Sequence, residues 1–144
     1  MTITGHRYLR GALTLEVRMS FPNELKYTRE HEWVRLEASS AAIGITSYAL
    51  EQLGDVVHLD LPKVGESFKA GSTFGSIEST KTVSDLYMPI SGKVTEVNSA
   101  LVKKLEGLSD DPYVGGWLVK ISFASNDGEL LSAADYQKLI AEEE

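Results

Sequence analysis

From Leu25 onward the chain runs in short stretches of β-branched or alternating apolar residues, separated by Gly, Pro and Ser. That is the pattern of half-buried strands joined by turns. Tyr27 to Leu36 mixes aromatic and aliphatic residues with charges, as a half-exposed strand does, and Ala41 to Ile45 is a brief apolar run. Thr46 stands where an N-cap belongs, Ser47 to Leu53 reads as a short helix, and Gly54 as the glycine that ends it. Val56 to Leu61 alternates and is closed by Pro62, which cannot donate to a sheet. Val64-Gly65-Glu66 and Lys69-Ala70-Gly71-Ser72 read as turns. Thr73 to Ser79 and Val83 to Ile90 are predicted strands, followed by the Ser91-Gly92 turn and a strand from Lys93 to Val97.

Ser99 to Leu105 is predicted as a helical turn, Ser109 to Gly116 as a loop, and Trp117 to Phe123 as the last strand. Ser132 opens a C-terminal helix with Asp135 at the N3 position. Leu139 and Ile140 give this helix an apolar face, and Glu142, Glu143 and Glu144 oppose its dipole, so its end should fray. Many short strands with frequent turns predict a mainly β fold, a small sandwich or closed sheet with helices as accessories. Gly75-Ser-Ile-Glu-Ser and Gly92-Lys-Val-Thr-Glu echo each other, each with a glycine and an aliphatic residue two positions on.

A length of 144 residues allows one domain of ordinary composition, 42% hydrophobic and 24% charged. The net charge of −7 is unevenly spread, because residues 1–20 hold Arg7, Arg10 and Arg18 against Glu16 alone. The rest would repel phosphate backbones, so nucleic-acid binding is not expected. Residues 1–20 faintly resemble a transit peptide. They read instead as a disordered, expression-derived or upstream-start extension ahead of Met19, leaving residues 21–144 as the domain. No apolar stretch is long enough for a membrane-spanning helix. With no cysteine there is no thiol nucleophile, zinc-thiolate site or disulfide, and redox chemistry would need a carried cofactor.

Enzymatic constellations are absent from the sequence. His6, His31 and His58 are too scattered for a metal site and read as structural histidines. No serine sits in a Gly-x-Ser-x-Gly elbow. Lys81-Thr82 ends like a phosphate-binding loop, but Thr80 stands where that loop needs its second glycine, so the backbone cannot curl its N–H groups around a phosphate there. What remains is Lys81 itself. Predicted strands flank it, with Glu78 before it and Asp85 after it, and the short hydroxyl residues Ser79, Thr80, Thr82 and Ser84 leave its amine unshielded at a hairpin tip.

Glu78-Ser79-Thr80-Lys81-Thr82, Ser84-Asp85 and Pro89-Ile90-Ser91-Gly92 together resemble the lipoyl-attachment motif of glycine cleavage system H proteins. The likeness extends through Tyr27-Thr28, His31-Glu32-Trp33-Val34, Ile43-Gly44-Ile45-Thr46, Leu53-Gly54-Asp55-Val56-Val57 and Leu61-Pro62-Lys63-Val64-Gly65. It continues through Glu96-Val97-Asn98, Asp111-Pro112-Tyr113 and Gly116-Trp117-Leu118, so that it covers about Leu25 to Ile140. The chain departs from the family pattern at Thr80 and Thr82 beside the lysine, at Leu50, and near Lys104-Leu105-Glu106-Gly107, which lacks a common proline.

The resemblance implies a barrel-sandwich hybrid with short accessory helices and a C-terminal helix. It implies a non-catalytic carrier with lipoate amide-linked to Lys81, which would supply the sulfur chemistry that the chain lacks. In that family the arm receives an aminomethyl group from glycine decarboxylase, a pyridoxal-phosphate enzyme. The arm hands this group to a tetrahydrofolate-dependent aminomethyltransferase and is reoxidised by dihydrolipoamide dehydrogenase. A lipoate-attaching enzyme is the fourth implied partner, and a cytoplasmic monomer of bacterial type is expected, with a mitochondrial location the lesser reading. The resemblance places Glu32 and Asp85 as carboxylates contacting the aminomethyl-loaded arm, and puts Gln52 where some relatives have a histidine. Two alternatives share the architecture. One is an H-like protein that relays lipoate to other enzymes; the other is a biotinyl carrier, which would normally flank the lysine with methionines rather than Thr80 and Thr82.

Overall fold

The apolar stretches pair into two antiparallel sheets in the computed structural model, which describes residues 21–143. One sheet has the strand order β1 (Lys26–Tyr27), β2 (Glu32–Glu37), β3 (Ser40–Ile45), β9 (Trp117–Ser122), β8 (Gly92–Val97) and β5 (Ser67–Phe68). The second has β6 (Thr73–Ser79) between β4 (Val56–Asp60) and β7 (Val83–Tyr87). The helices among the described residues are α1 (Ser47–Leu53), α2 (Ser99–Lys103), α3 (Glu106–Asp110) and α4 (Ala133–Glu143). This is the mainly β architecture with accessory helices that the strand pattern predicts. The expectations for residues 1–20, His6 included, lie outside the described residues.

Alternation along each strand decides what goes inside. Ala41, Ile43 and Ile45 of β3 join Leu59, Ile77, Leu86, Val94 and Ile121 in the core between the sheets. Strand β2 is covered on both faces, with Val34 in that core and Trp33 in a second cluster. That cluster holds Phe21, Leu25, Tyr27 and Tyr48 together with Ala133, Tyr136 and Ile140 of α4. Ala133, Tyr136 and Ile140 recur at helical spacing, so α4 lays one apolar stripe on the outside of the large sheet. Both predicted caps are present: Thr46 Oγ1 accepts from Ala49 N–H at 3.2 Å, and Ser132 Oγ accepts from Asp135 N–H at 3.1 Å.

Several boundaries differ from the sequence reading, each for a local reason. Tyr27 to Leu36 is not one strand, because Thr28 to His31 form a turn closed by His31 N–H on Thr28 O, with His31 at φ 74°. The strand expected to reach Ile90 stops at Tyr87; Pro89 has no N–H to extend the ladder. Residues 106–110 form α3 where the loop was expected to begin at Ser109. Strand β5 is two residues long and leaves no periodic signal to read. His58, expected as a structural histidine, is exposed on β4, where a register shift between Val56 and His58 breaks the alternation.

Candidate functional site

Ser79 to Thr82 turn the chain from β6 into β7. Ser79 is buried, and its hydroxyl accepts from Lys81 N–H at 3.1 Å and Thr82 N–H at 3.2 Å, while Ser79 N–H donates to Thr82 O at 2.8 Å. One small side chain therefore satisfies two turn amides, which is why a serine suits this place. The tip is also tied sideways, since Thr80 N–H donates to Asp55 O at 3.0 Å. Thr80, Lys81 and Thr82 are all exposed. The lysine stem passes over Gly54, where a Cβ would stand 3.3 Å from Lys81 Cε. Gly54, at φ 81°, thus ends α1 and leaves space for the lysine beside it.

Beside the tip, between β7 and α1, lies a cleft of about 280 Å³. Ile45, Leu53, Ile77 and Leu86 give it an apolar floor, and Thr82 connects its mouth to the lysine tip. Its polar lining includes Glu30, Glu32, Ser84, Asp85 and Glu143. Two sequence-predicted carboxylates, Glu32 and Asp85, therefore line one cleft adjoining Lys81, although β2 and β7 belong to different sheets. Gln52 lines it as well.

The two carboxylates differ in setting. Glu32 is only 2% exposed; its Oε1 accepts from Thr28 Oγ1 at 2.7 Å and its Oε2 from Tyr87 N–H at 3.0 Å. It bridges the two sheets, and burial pushes its pKa up to about 7 despite those two bonds. Asp85 is exposed and pairs in register with Ser76, which opposes Asp60. Those three share the sheet face opposite to Ile77, so Asp85 stands at the rim of the cleft rather than on its floor.

Residues that sequence reasoning did not assign to a site hold the α1 wall in place. Tyr136 Oη lies 2.7 Å from Thr46 Oγ1 and 2.8 Å from His31 Nδ1, and His31 Nε2 lies 3.3 Å from a Glu143 oxygen. Tyr113 Oη bonds both Ser47 N–H and Ser47 Oγ. Thr46 was legible as a cap, but its bond to Tyr136 on another helix leaves no local pattern.

A lysine presented at a hairpin tip of a two-sheet sandwich, next to an apolar cleft, defines the barrel-sandwich class of lipoyl-type domains. The family model described as "Glycine cleavage H-protein" matches residues 25–143. The chain is 51% identical over 122 residues to the glycine cleavage system H protein of Herpetosiphon aurantiacus, covering 85% of this chain and 95% of that one. It is 50% identical over 124 residues to that of Bacteroides thetaiotaomicron, covering 85% and 98%. A crystal structure of a glycine cleavage system H protein from Mycobacterium marinum superposes with a TM-score of 0.80 at 42% identity, covering 84% of this chain and 99% of that one. The chain belongs to the glycine cleavage H-protein family.

Proposed function

We propose that this protein is the lipoyl carrier of a glycine cleavage system, with lipoate amide-linked to Lys81. The single observation that carries this is the placement of Lys81: an exposed amine on a turn fixed by Ser79 and Asp55, opening onto an apolar cleft with carboxylates in its lining. The residues present fit a lipoyl group, since Lys81 offers the acylable amine and Ile45, Leu53, Ile77 and Leu86 offer a surface for a hydrocarbon chain. When bound, that group supplies a dithiolane able to accept the aminomethyl group of glycine and two electrons, which a chain without cysteine cannot do itself.

This chain's own residues hold and shield. The hairpin keeps the lysine exposed so that different enzymes reach the same atom, and tethering keeps the cargo at high effective concentration for each. The cleft excludes water from what rests in it, and Glu32 and Asp85 are the carboxylates we assign to the cationic cargo amine. The partners in this reading are the glycine decarboxylase that loads the cargo and the tetrahydrofolate-dependent aminomethyltransferase that unloads it. Dihydrolipoamide dehydrogenase reoxidises the dithiol, and a lipoate-attaching enzyme installs the group. The carrier itself catalyses none of these steps. Its relatives are bacterial, and no helix of the described residues is long and apolar enough to cross a membrane. We place it in the cytoplasm as a monomer.

Replacing Lys81 with Arg keeps the charge and removes the acylable amine. The variant should melt like wild type, take up no lipoate, and fail to support carbon dioxide exchange into glycine with the decarboxylase. Exchange at the wild-type rate in Lys81→Arg would sink the proposal.

A further inference from the structure

The last turn of α4 reaches the cleft from the far end of the chain. Glu143 lines it, 38% exposed at its side chain, and its oxygen lies 3.3 Å from His31 Nε2. Two acids at the end of α4 oppose the helix dipole, yet the helix runs to Glu143 where fraying was expected, because a tie from outside the helix holds this turn. His31 provides it, from a backbone at φ 74° that turns the chain between Thr28 and Glu32.

The hydrogen bonds behind His31 fix its orientation. Glu143 can only accept when ionised, so Nε2 carries the proton and Nδ1 accepts from Tyr136 Oη. Tyr136, having donated, accepts from Thr46 Oγ1, which in turn accepts from Ala49 N–H as the α1 cap. Every group in this row then has a partner. Protonating His31 would reverse the row and leave the Thr46 hydroxyl proton to find another acceptor at a fully buried site. Burial further lowers the His31 pKa, against the raising influence of Glu143 and Glu30. A neutral His31 holds Glu143 without cancelling its charge.

We propose that Glu143, held at the cleft by His31, is a further carboxylate of the arm-binding site and positions the cationic cargo amine. This rests on the reading of the cleft as the resting place of a lipoyl arm. Glu143 adds to the two carboxylates suggested by the sequence an acceptor that neither of them supplies alone. Both Glu32 oxygens are already engaged by Thr28 and Tyr87, and Asp85 belongs by register to the face shared with Ser76 and Asp60. The ion pair of Glu143 among the described residues is with His31, which leaves its carboxylate lone pairs for a second donor. His31 is the positioning residue for Glu143.

The test separates charge from packing. Glu143→Gln keeps an acceptor for His31 Nε2–H and removes the charge; Glu143→Ala removes both. In the unlipoylated protein, amide exchange over residues 140–143 should stay slow in the Gln variant and quicken in the Ala variant. Nitrogen-15 shifts of His31 should show the proton on Nε2. In lipoylated, glycine-charged protein without tetrahydrofolate, the cargo is lost to one water. That water provides the oxygen of formaldehyde, while the amine leaves as ammonium and the sulfur as thiol. Formaldehyde release should quicken about two- to five-fold in Glu143→Gln, the range for a partly exposed ion pair. Equal release in wild type and Gln variant would overturn this inference and leave the carrier reading standing. The proton on Nδ1, or unaltered exchange in the Ala variant, would also overturn it. Wild type that takes up no lipoate, or cannot be charged by glycine, would overturn both.

Discussion

In β6 a Cβ on Gly75 would overlap the Asp60 carbonyl oxygen, and Ile77 two residues on is buried; in β8 a Cβ on Gly92 would stand 2.8 Å from Ser122 O, and Val94 is buried equally. The two strands lie in different sheets and follow one rule of construction. Their ends do not. At the end of β6 the Ser79 hydroxyl gathers the amides of Lys81 and Thr82 and sends the chain straight back into β7. Beyond β8 the Asn98 side chain donates inward to Gly115 O at 3.2 Å and Trp117 O at 2.8 Å, and the chain bends into α2. Both corners bear exposed lysines, Lys81 on one and Lys103 and Lys104 on the other. Exposure therefore does not distinguish the proposed attachment site. A lysine centred on a short, cross-tied hairpin does.

The strongest way to stress this comparison is through the glycines. Gly75→Ala should destabilise the domain by about 3 kcal/mol, because backbone rather than a flexible side chain stands in the way. Gly92→Ala should cost about 1–2 kcal/mol, since the Ser122 oxygen stands farther from its Cβ, at 2.8 Å, than the Asp60 oxygen does from that of Gly75, and the Ile121 side chain beside it can yield in part. Denaturant midpoints of the two variants measure the difference, and equal midpoints would remove the asymmetry.

Glu32 sharpens the picture at a different place, the bridge between the sheets. Its folded pKa of about 7 lies above its ordinary value of 4.5, so between those pH values the native state holds a proton that the unfolded state releases. Stability must then fall as pH rises through that window, by up to about 3 kcal/mol. Glu32→Gln should flatten this slope. Its amide oxygen can accept from Tyr87 N–H while its NH₂ donates to Thr28 Oγ1. Urea melts at pH 5, 6 and 7.5 for both proteins test the sign; parallel trends would show that Glu32 ionises freely.

The smallest effect is expected at the tip. Ser79→Ala leaves the Lys81 and Thr82 amides without their acceptor, at a cost of about 1 kcal/mol. Amide exchange should quicken at those two residues and not at Asn98, and a uniform loss of protection would count against a locally built turn.

How much of this was legible follows from how local each signal is. The Thr46 cap, the Gly54 stop and the β6–β7 hairpin around Lys81 rest on residues within a few positions of one another, and all three lie where the pattern put them. Glu32 and Asp85 came from the family resemblance, and the structure adds what that could not hold: one carboxylate is buried between the sheets, the other stands at the rim. The turn at Thr28–His31 was missed because a histidine at positive φ has no compositional mark. Glu143, Tyr136 and Tyr113 were missed because each meets its partner from a distant segment, and no spacing in one chain reports such a meeting.

The hairpin, and not exposure, selects the lysine in this reading. The direct measurement is peptide mapping of the full chain after exposure to lipoate, ATP and a lipoate-attaching enzyme. The expected result is one lipoyl group per chain, on the peptide containing Lys81, with Lys103 and Lys104 unmodified. Lipoate on either of those lysines, or an unmodified Lys81, would contradict it.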